Sequence, residues 1–125
     1  RFFDPGMQQA LHARSSLEAD LRQGLARGEI HVHYQAVVDY QGHVKGAEAL
    51  ARWNHPERGP ISPAQFIPLA EQTGLILPLG RHILRTACEQ LVRWSGKKET
   101  AHLSMAVNVS ARQFRQPGFM AEVLQ

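Results

Sequence analysis

The sequence predicts an α/β fold, because the spacing of its apolar residues changes between the period of a helix and the period of a strand. Apolar residues recur every three to four positions in 11–28 and in 77–96, as in amphipathic helices. They alternate with polar residues in 30–53, as in strands. The resulting order is helix, strand, strand, two helices, strand and helix, which favours a layered or barrel α/β fold over a bundle or a sandwich.

The first helix is predicted from Leu17, Leu21 and Leu25, which recur every four residues and are followed by Gly28, a residue suited to ending a helix in the left-handed conformation. Two strands follow, joined by a turn in "DYQGH". The second of them runs from about Val44 to Trp53. In the first, five apolar residues alternate with polar neighbours: Ile30, Val32, Tyr34, Ala36 and Val38.

Two more helices are predicted after the loop "NHPERGPI". Ser62, Pro63 and Gln65 give the signature of a helix start, and Gly74 ends that helix. The segment "LPLGRHILRTACEQLVRWSG" forms the next helix, "HLSMAVNVS" forms a third strand, and a final helix begins after Pro117.

Composition and charge favour a small globular domain over a nucleic-acid-binding or membrane-spanning protein. With 125 residues, of which 43% are hydrophobic, the chain has the composition of one small globular domain. The net charge of +3 includes no basic run, so a nucleic-acid polymer is not an expected partner, whereas a small anion is compatible. No apolar run approaches the roughly 20 residues of a membrane span, so we expect no membrane contact by this segment. The single cysteine, Cys88, lies on the predicted apolar helix face, and we expect a buried thiol.

The second predicted strand carries two charges, Glu48 and Arg52, among alanines. Residues two apart share a face, so Leu50 lies beside both charges while the alanines face the other way. One interpretation is an ion pair on a solvated sheet face. The other is a site that faces a metal and a phosphate. Asn108, near the end of the third strand, has the same two interpretations, since it could cap a turn or belong to a site at the strand ends.

Two weaker signals have structural interpretations. His31 and His33 flank one residue and could chelate a metal, but with no third ligand we interpret them as solvated strand histidines. The turn "HPERG" carries His55, Glu57 and Arg58, whose charges we expect to be exposed and without chemistry.

Three stretches together resemble a known family. In order and spacing, "HYQAVVD", "GAEALARWNHPERGPISPAQFIPLAEQTGLILPLGRHILRTACEQL" and "AVNVSARQF" are similar to the first half of an EAL domain, the bacterial cyclic di-GMP phosphodiesterase family. The resemblance implies the N-terminal portion of an EAL-type (β/α)8 TIM-like barrel, with about three strands and flanking helices, over residues 17–125. Residues 1–16 resemble the linker helix that follows a GGDEF or other signalling domain, which would be a partner in the parent chain.

The resemblance also implies roles for individual residues. Glu48 matches the namesake glutamate, a catalytic metal ligand, and Asn108 matches a second metal ligand. Arg52 would contact a phosphate of cyclic di-GMP, while Leu50 and Gln35 would line the nucleotide pocket. Carboxylate and amide oxygens suit Mg²⁺ or Mn²⁺ better than zinc. In the family such metals activate a water that opens cyclic di-GMP to the linear dinucleotide, and we expect a cytoplasmic location whether or not the parent is tethered to a membrane.

Departures from the family keep three functions open. Ala36 and Val109 replace a usual proline and leucine without removing a ligand. The family's later acidic motifs have no counterpart in these 125 residues, and a complete barrel takes about 250. The chain is therefore interpreted as part of a phosphodiesterase, which both metal ligands favour, as a non-catalytic cyclic di-GMP-binding or regulatory module, or as an inactive fragment. Unpaired strand edges also predict self-association.

Overall fold

Apart from one added short strand, helices and strands follow the predicted order through residues 4–107, the part of the chain that the computed structural model describes. In chain order they are α1 (Pro5–Arg27), β1 (Ile30–Val38), β2 (Val44–His55), β3 (Gly59–Ile61), α2 (Pro63–Thr73), α3 (Ile76–Ser95) and β4 (Ser104–Val107). The α/β class is confirmed. The helix predicted after Pro117 lies outside the described residues.

The helix ends show why these segments fold locally. The Asp4 carboxylate accepts hydrogen bonds from the first free N–H groups of α1, so that helix begins well before Leu17. Gly28 and Gly74 end α1 and α2 with φ of 76° and 83°, a left-handed conformation that costs glycine little. The Ser62 side chain caps α2 as predicted. The proposed boundary between a linker and a domain at residues 16 and 17 lies inside α1 and stays a prediction.

Strand β2 is the centre of the sheet. It pairs antiparallel with β1 along one edge, and along the other edge with β4 in parallel and with β3 in antiparallel orientation. The register sets Glu48 opposite Gln35 of β1 and beside Ala106 of β4. This register decides which residues of β1 and β4 lie beside Glu48, because the face of each side chain alternates along a strand.

Strand β3 is an addition to the prediction, which treated its residues as loop. It is short, and Pro60 lies opposite Asn54 at a position where a missing N–H is tolerated. Three residues are too few to show a period of two, so the pattern of apolar residues gave no signal. Its contribution to the core is Ile61, which pairs with Trp53.

The helices pack against one face of the sheet and form the core with it. Trp53, Phe66, Leu21 and Leu79 are the largest fully buried side chains. The rings of Trp53 and Phe66 meet edge to face with their centroids 5.7 Å apart. Nε1 of Trp53 donates to a carboxylate oxygen of Glu29 at 3.0 Å, which satisfies the polar atom of the buried indole.

The prediction for Cys88 was wrong, because its side chain is exposed. The buried stripe of α3 includes Leu79, Ile83 and Ala87, and one further residue turns the helix by about 100°, away from the core. Among the described residues, no helix has both the length and the apolar composition needed to cross a membrane.

Candidate functional site

Strand β2 divides its residues between two environments. Ala47, Ala49 and Trp53 are buried, and Trp53 is only 1% exposed. Glu48 and Arg52 alternate with them and are half-buried. The structure therefore confirms that both charges lie on the face opposite the alanines, as the sequence predicted.

Strand β1 adds a second column of side chains to that face. In the antiparallel register Gln35 lies opposite Glu48, His33 opposite Leu50 and His31 opposite Arg52. Residues directly opposite each other have Cβ atoms about 4.5–5.5 Å apart and point to the same side. We call this surface the open face. Its residues are His31, His33, Gln35, Glu48, Leu50 and Arg52.

The two charges of the open face are far apart along the strand. At a rise of about 3.3 Å per residue, the Cα atoms of Glu48 and Arg52 are separated by about 13 Å. Nη1 of Arg52 donates to the carbonyl oxygen of Ala51 at 2.9 Å, so the guanidinium turns back toward its own strand. The open face thus carries a carboxylate in the middle of β2 and a guanidinium near the end of the strand.

Strand β4 approaches the open face because of a glycine. A Cβ atom built on Gly46 would lie 2.6 Å from the carbonyl oxygen of Ser104, a distance that no side chain tolerates without movement of the backbone. The close approach pairs β4 with β2 and places Ala106 beside Glu48. Asn108, the second predicted metal ligand, lies outside the described residues, and its role stays a prediction.

The sequence also held an unused signal for the two histidines. His31, His33 and Gln35 have the same parity in one strand, so a residue assigned to a site at position 35 places both histidines on the same face. They were interpreted as solvated, and both are exposed. What the sequence alone did not give is their register against Arg52 and Leu50.

The donor set of the described residues fits part of a metal site. Within residues 4–107, no group of three or more His, Cys, Asp or Glu side chains is arranged to hold a metal ion. Glu48 offers carboxylate oxygens, which are ligands that hard cations such as Mg²⁺ and Mn²⁺ prefer. The open face thus fits one carboxylate ligand of such an ion.

The turn "HPERG" supports the sheet from the helical side. Nδ1 of His55 accepts hydrogen bonds from the backbone N–H groups of Glu57 and Arg58, both at 3.0 Å. The Arg58 side chain reaches Asp20 at 2.8 Å and Ser16 at 3.0 Å, which ties the turn to α1. The expectation of an exposed side chain was therefore wrong for His55, which is 15% exposed. Arg58 is exposed as expected, and its contacts tie the turn to α1.

The sequence matches the EAL domain family over residues 18–125. It is 42% identical to the bifunctional diguanylate cyclase/cyclic di-GMP phosphodiesterase MucR of Pseudomonas aeruginosa, over 98% of this chain and 18% of MucR. It is 41% identical to the cyclic di-GMP phosphodiesterase PdeR of Escherichia coli, over 89% of this chain and 16% of PdeR. The structure resembles that of a PaMucR phosphodiesterase in complex with c-di-GMP, with a TM-score of 0.78 and 43% identity over 87% of this chain and 44% of that chain. The chain thus spans less than a fifth of the length of either curated relative.

Proposed function

The chain belongs to the EAL domain family, and on that premise we propose that it forms part of an enzyme that hydrolyses cyclic di-GMP to the linear dinucleotide. The observation that carries the proposal is the arrangement of the open face, where Glu48, Leu50 and Arg52 lie in line and Gln35 lies opposite Glu48. Two findings support cyclic di-GMP as the ligand. MucR is named as a cyclic di-GMP phosphodiesterase, and the PaMucR structure that this chain resembles is a complex with c-di-GMP.

In the proposed mechanism Glu48 is the metal ligand that this strand provides. Bound Mg²⁺ or Mn²⁺ would supply an activated water and stabilise charge on the phosphate oxygens. Glu48 is half-buried and lies near the middle of β2. Asn108 is proposed as a further ligand from the chain after β4.

The other residues of the open face are proposed to bind the dinucleotide. The Arg52 guanidinium presents several N–H donors in a plane and so can hold a phosphate with two parallel hydrogen bonds. Leu50, between the two charges, offers an apolar surface to a base or ribose. The Gln35 side chain offers both an amide donor and an amide acceptor beside Glu48.

The experiment is hydrolysis of cyclic di-GMP in Mg²⁺ or Mn²⁺ by the full-length protein that contains this chain, compared with its Glu48→Gln variant. We expect the variant to lose at least about 100-fold in turnover, because the change removes the charge from a direct metal ligand. Glu18→Gln is the matched control, since Glu18 forms an exposed ion pair with Arg22 on α1, remote from the open face. Full activity of Glu48→Gln would contradict the role of Glu48. A wild-type protein that binds the dinucleotide without hydrolysing it would establish the receptor alternative instead.

Membership of the EAL domain family also supports proposals about domain partners and self-association. The diguanylate cyclase activity in the name of MucR supports a GGDEF or sensory domain as a partner within a longer protein. We propose a cytoplasmic location for this segment. Self-association is proposed through strand edges. Within residues 4–107 β1 pairs with β2 alone, which leaves the other edge of a nine-residue strand available to a second copy. Light scattering of the protein at several concentrations tests this, and a monomer throughout would contradict it.

A further inference from the structure

We infer that His31 is a further cyclic di-GMP-binding residue, whose imidazole N–H donates a hydrogen bond to the phosphate that Arg52 binds. The inference rests on the proposed function of the open face and adds to it a contact from the neighbouring strand. It assigns a role to a histidine that the sequence pattern alone indicated only as a solvated side chain.

The register between β1 and β2 places His31 beside Arg52. His31 and Arg52 are direct cross-strand partners in the antiparallel pair, so both lie on the open face. Their Cβ atoms therefore lie about 4.5–5.5 Å apart, within the reach needed for an imidazole and a guanidinium to contact oxygens of one phosphate group. His33 is less well placed, because its direct partner is the apolar Leu50.

The histidines of the chain differ in the hydrogen bonds that their rings make. Two other histidines of the chain have structural tasks: His55 accepts from two backbone N–H groups, and Nε2 of His82 lies 2.9 Å from the carbonyl oxygen of Ile30. Among the described residues, no hydrogen bond or ion pair engages the ring of His31, and its side chain is exposed on the open face. Its ring is therefore available to a ligand without loss of a contact within residues 4–107.

Charge decides between an anion and a metal as the ligand. A cation at His31 would be repelled by the Arg52 guanidinium on the adjacent strand, whereas a phosphate would be attracted by it. A metal would also need a third ligand, and the described residues include no group of three His, Cys, Asp or Glu that could hold one. Both arguments favour the phosphate of the proposed dinucleotide.

The test is steady-state hydrolysis of cyclic di-GMP in Mg²⁺ by the full-length protein and its variants. We expect His31→Ala to raise KM by about 10-fold with kcat within about twofold, because a lost hydrogen bond to a charged group weakens binding by at least that amount. His31→Gln keeps an N–H donor and should recover part of the affinity. His12→Ala, which removes an exposed histidine of α1, is the matched control and should leave KM unchanged.

The outcomes separate this inference from the proposed function. If the wild type hydrolyses cyclic di-GMP and His31→Ala has an unchanged KM, the inference is overturned and the proposed function stands. A fall in kcat with an unchanged KM overturns it as well, because it would place His31 in the chemistry and not in binding. If the wild type neither hydrolyses the dinucleotide nor binds it in calorimetry, the proposed function fails and the inference fails with it.

Discussion

The two faces of β2 are made of alternating residues from one segment, yet they differ in nearly every physical property. On the helical side, Ala47, Ala49 and Trp53 are small or aromatic and buried. On the open face, Glu48 and Arg52 are charged and half-buried. Because alternate residues of a strand lie on opposite faces, the residues of β2 that stabilise the fold are different from those proposed to bind a ligand. Substitutions on one face should therefore affect the free energy of unfolding, and those on the other should affect ligand binding.

The largest effect is expected from Trp53→Ala. Trp53 is 1% exposed, contacts Phe66 edge to face and donates to Glu29, so its removal leaves a cavity and removes a hydrogen bond. The free energy of unfolding should fall by about 3–5 kcal/mol. Urea denaturation of the complete EAL domain that contains this chain measures it.

Leu50→Ala is the comparison for that variant, since it also truncates an apolar side chain of β2 but on the half-buried open face. Its cost in unfolding free energy should be below about 1.5 kcal/mol, because less apolar surface leaves a buried environment. Equal losses for Trp53→Ala and Leu50→Ala would show that both faces are core, and the separation would be wrong.

Features that depend on residues close together in the sequence could be predicted, and features that depend on distant contacts could not. The opposite facing of Ala49 and Glu48 follows from strand alternation, and the ends of α2 follow from the chemistry of Ser62 and Gly74, so all were predictable. Registers between strands are set by contacts distant in sequence. The approach of β4 at Gly46 and the pairing of His31 with Arg52 therefore required the three-dimensional structure.

The second prediction concerns Gly46, where β4 approaches β2. Gly46→Ala would place a Cβ atom 2.6 Å from the Ser104 carbonyl oxygen, and two paired strands have to move apart to admit it. We expect a loss of about 1–3 kcal/mol in the free energy of unfolding, typical of overpacking, measured in urea. Because β4 lies beside Glu48, the apparent affinity for Mg²⁺ should weaken as well.

Gly6→Ala is a matched control for Gly46→Ala, because it makes the same chemical change in a roomier place. A Cβ atom on Gly6 would lie 3.4 Å from the Asp4 carboxylate, an ordinary contact in the first turn of α1. Its stability should stay within about 0.5 kcal/mol of the wild type or rise. If Gly46→Ala were as stable as Gly6→Ala, the close approach of the strands would not limit the residue at position 46.

The third prediction tests the open face through Arg52→Lys. Lysine keeps the positive charge but presents a point charge, so it cannot hold a phosphate with two parallel hydrogen bonds. The dissociation constant for cyclic di-GMP should rise by about 10-fold, while that for Mg²⁺ stays nearly unchanged. Calorimetry separates the two ligands, and Arg22→Lys on α1 serves as the control. Unchanged affinity for the dinucleotide together with weakened metal binding would contradict the assignment.

The smallest effect is expected at Asp39, in the turn that joins β1 to β2. The Asp39 carboxylate accepts hydrogen bonds from the backbone N–H groups of His43 at 3.0 Å and Gln41 at 2.9 Å, and it lies 3.6 Å from the Lys45 ammonium. A slip of one residue here would exchange the two faces of β1 relative to β2. The turn therefore contributes to the separation of core and site.

The pKa of Asp39 is lowered from its ordinary value, chiefly by the hydrogen bond from the His43 backbone N–H, which outweighs partial desolvation; Gln41 and Lys45 act in the same direction as His43. Because the pKa in the folded protein is below that in the unfolded chain, the carboxylate stabilises the turn above the unfolded pKa. That stabilisation is lost as the pH falls through the folded pKa. NMR titration of the Asp39 carboxyl should show the lowered pKa. The stability difference between the wild type and Asp39→Asn should shrink as the solution is acidified, because the neutral amide mimics the protonated acid. A difference that grows on acidification would mean that the charge of Asp39 opposes the turn and that other contacts set the register.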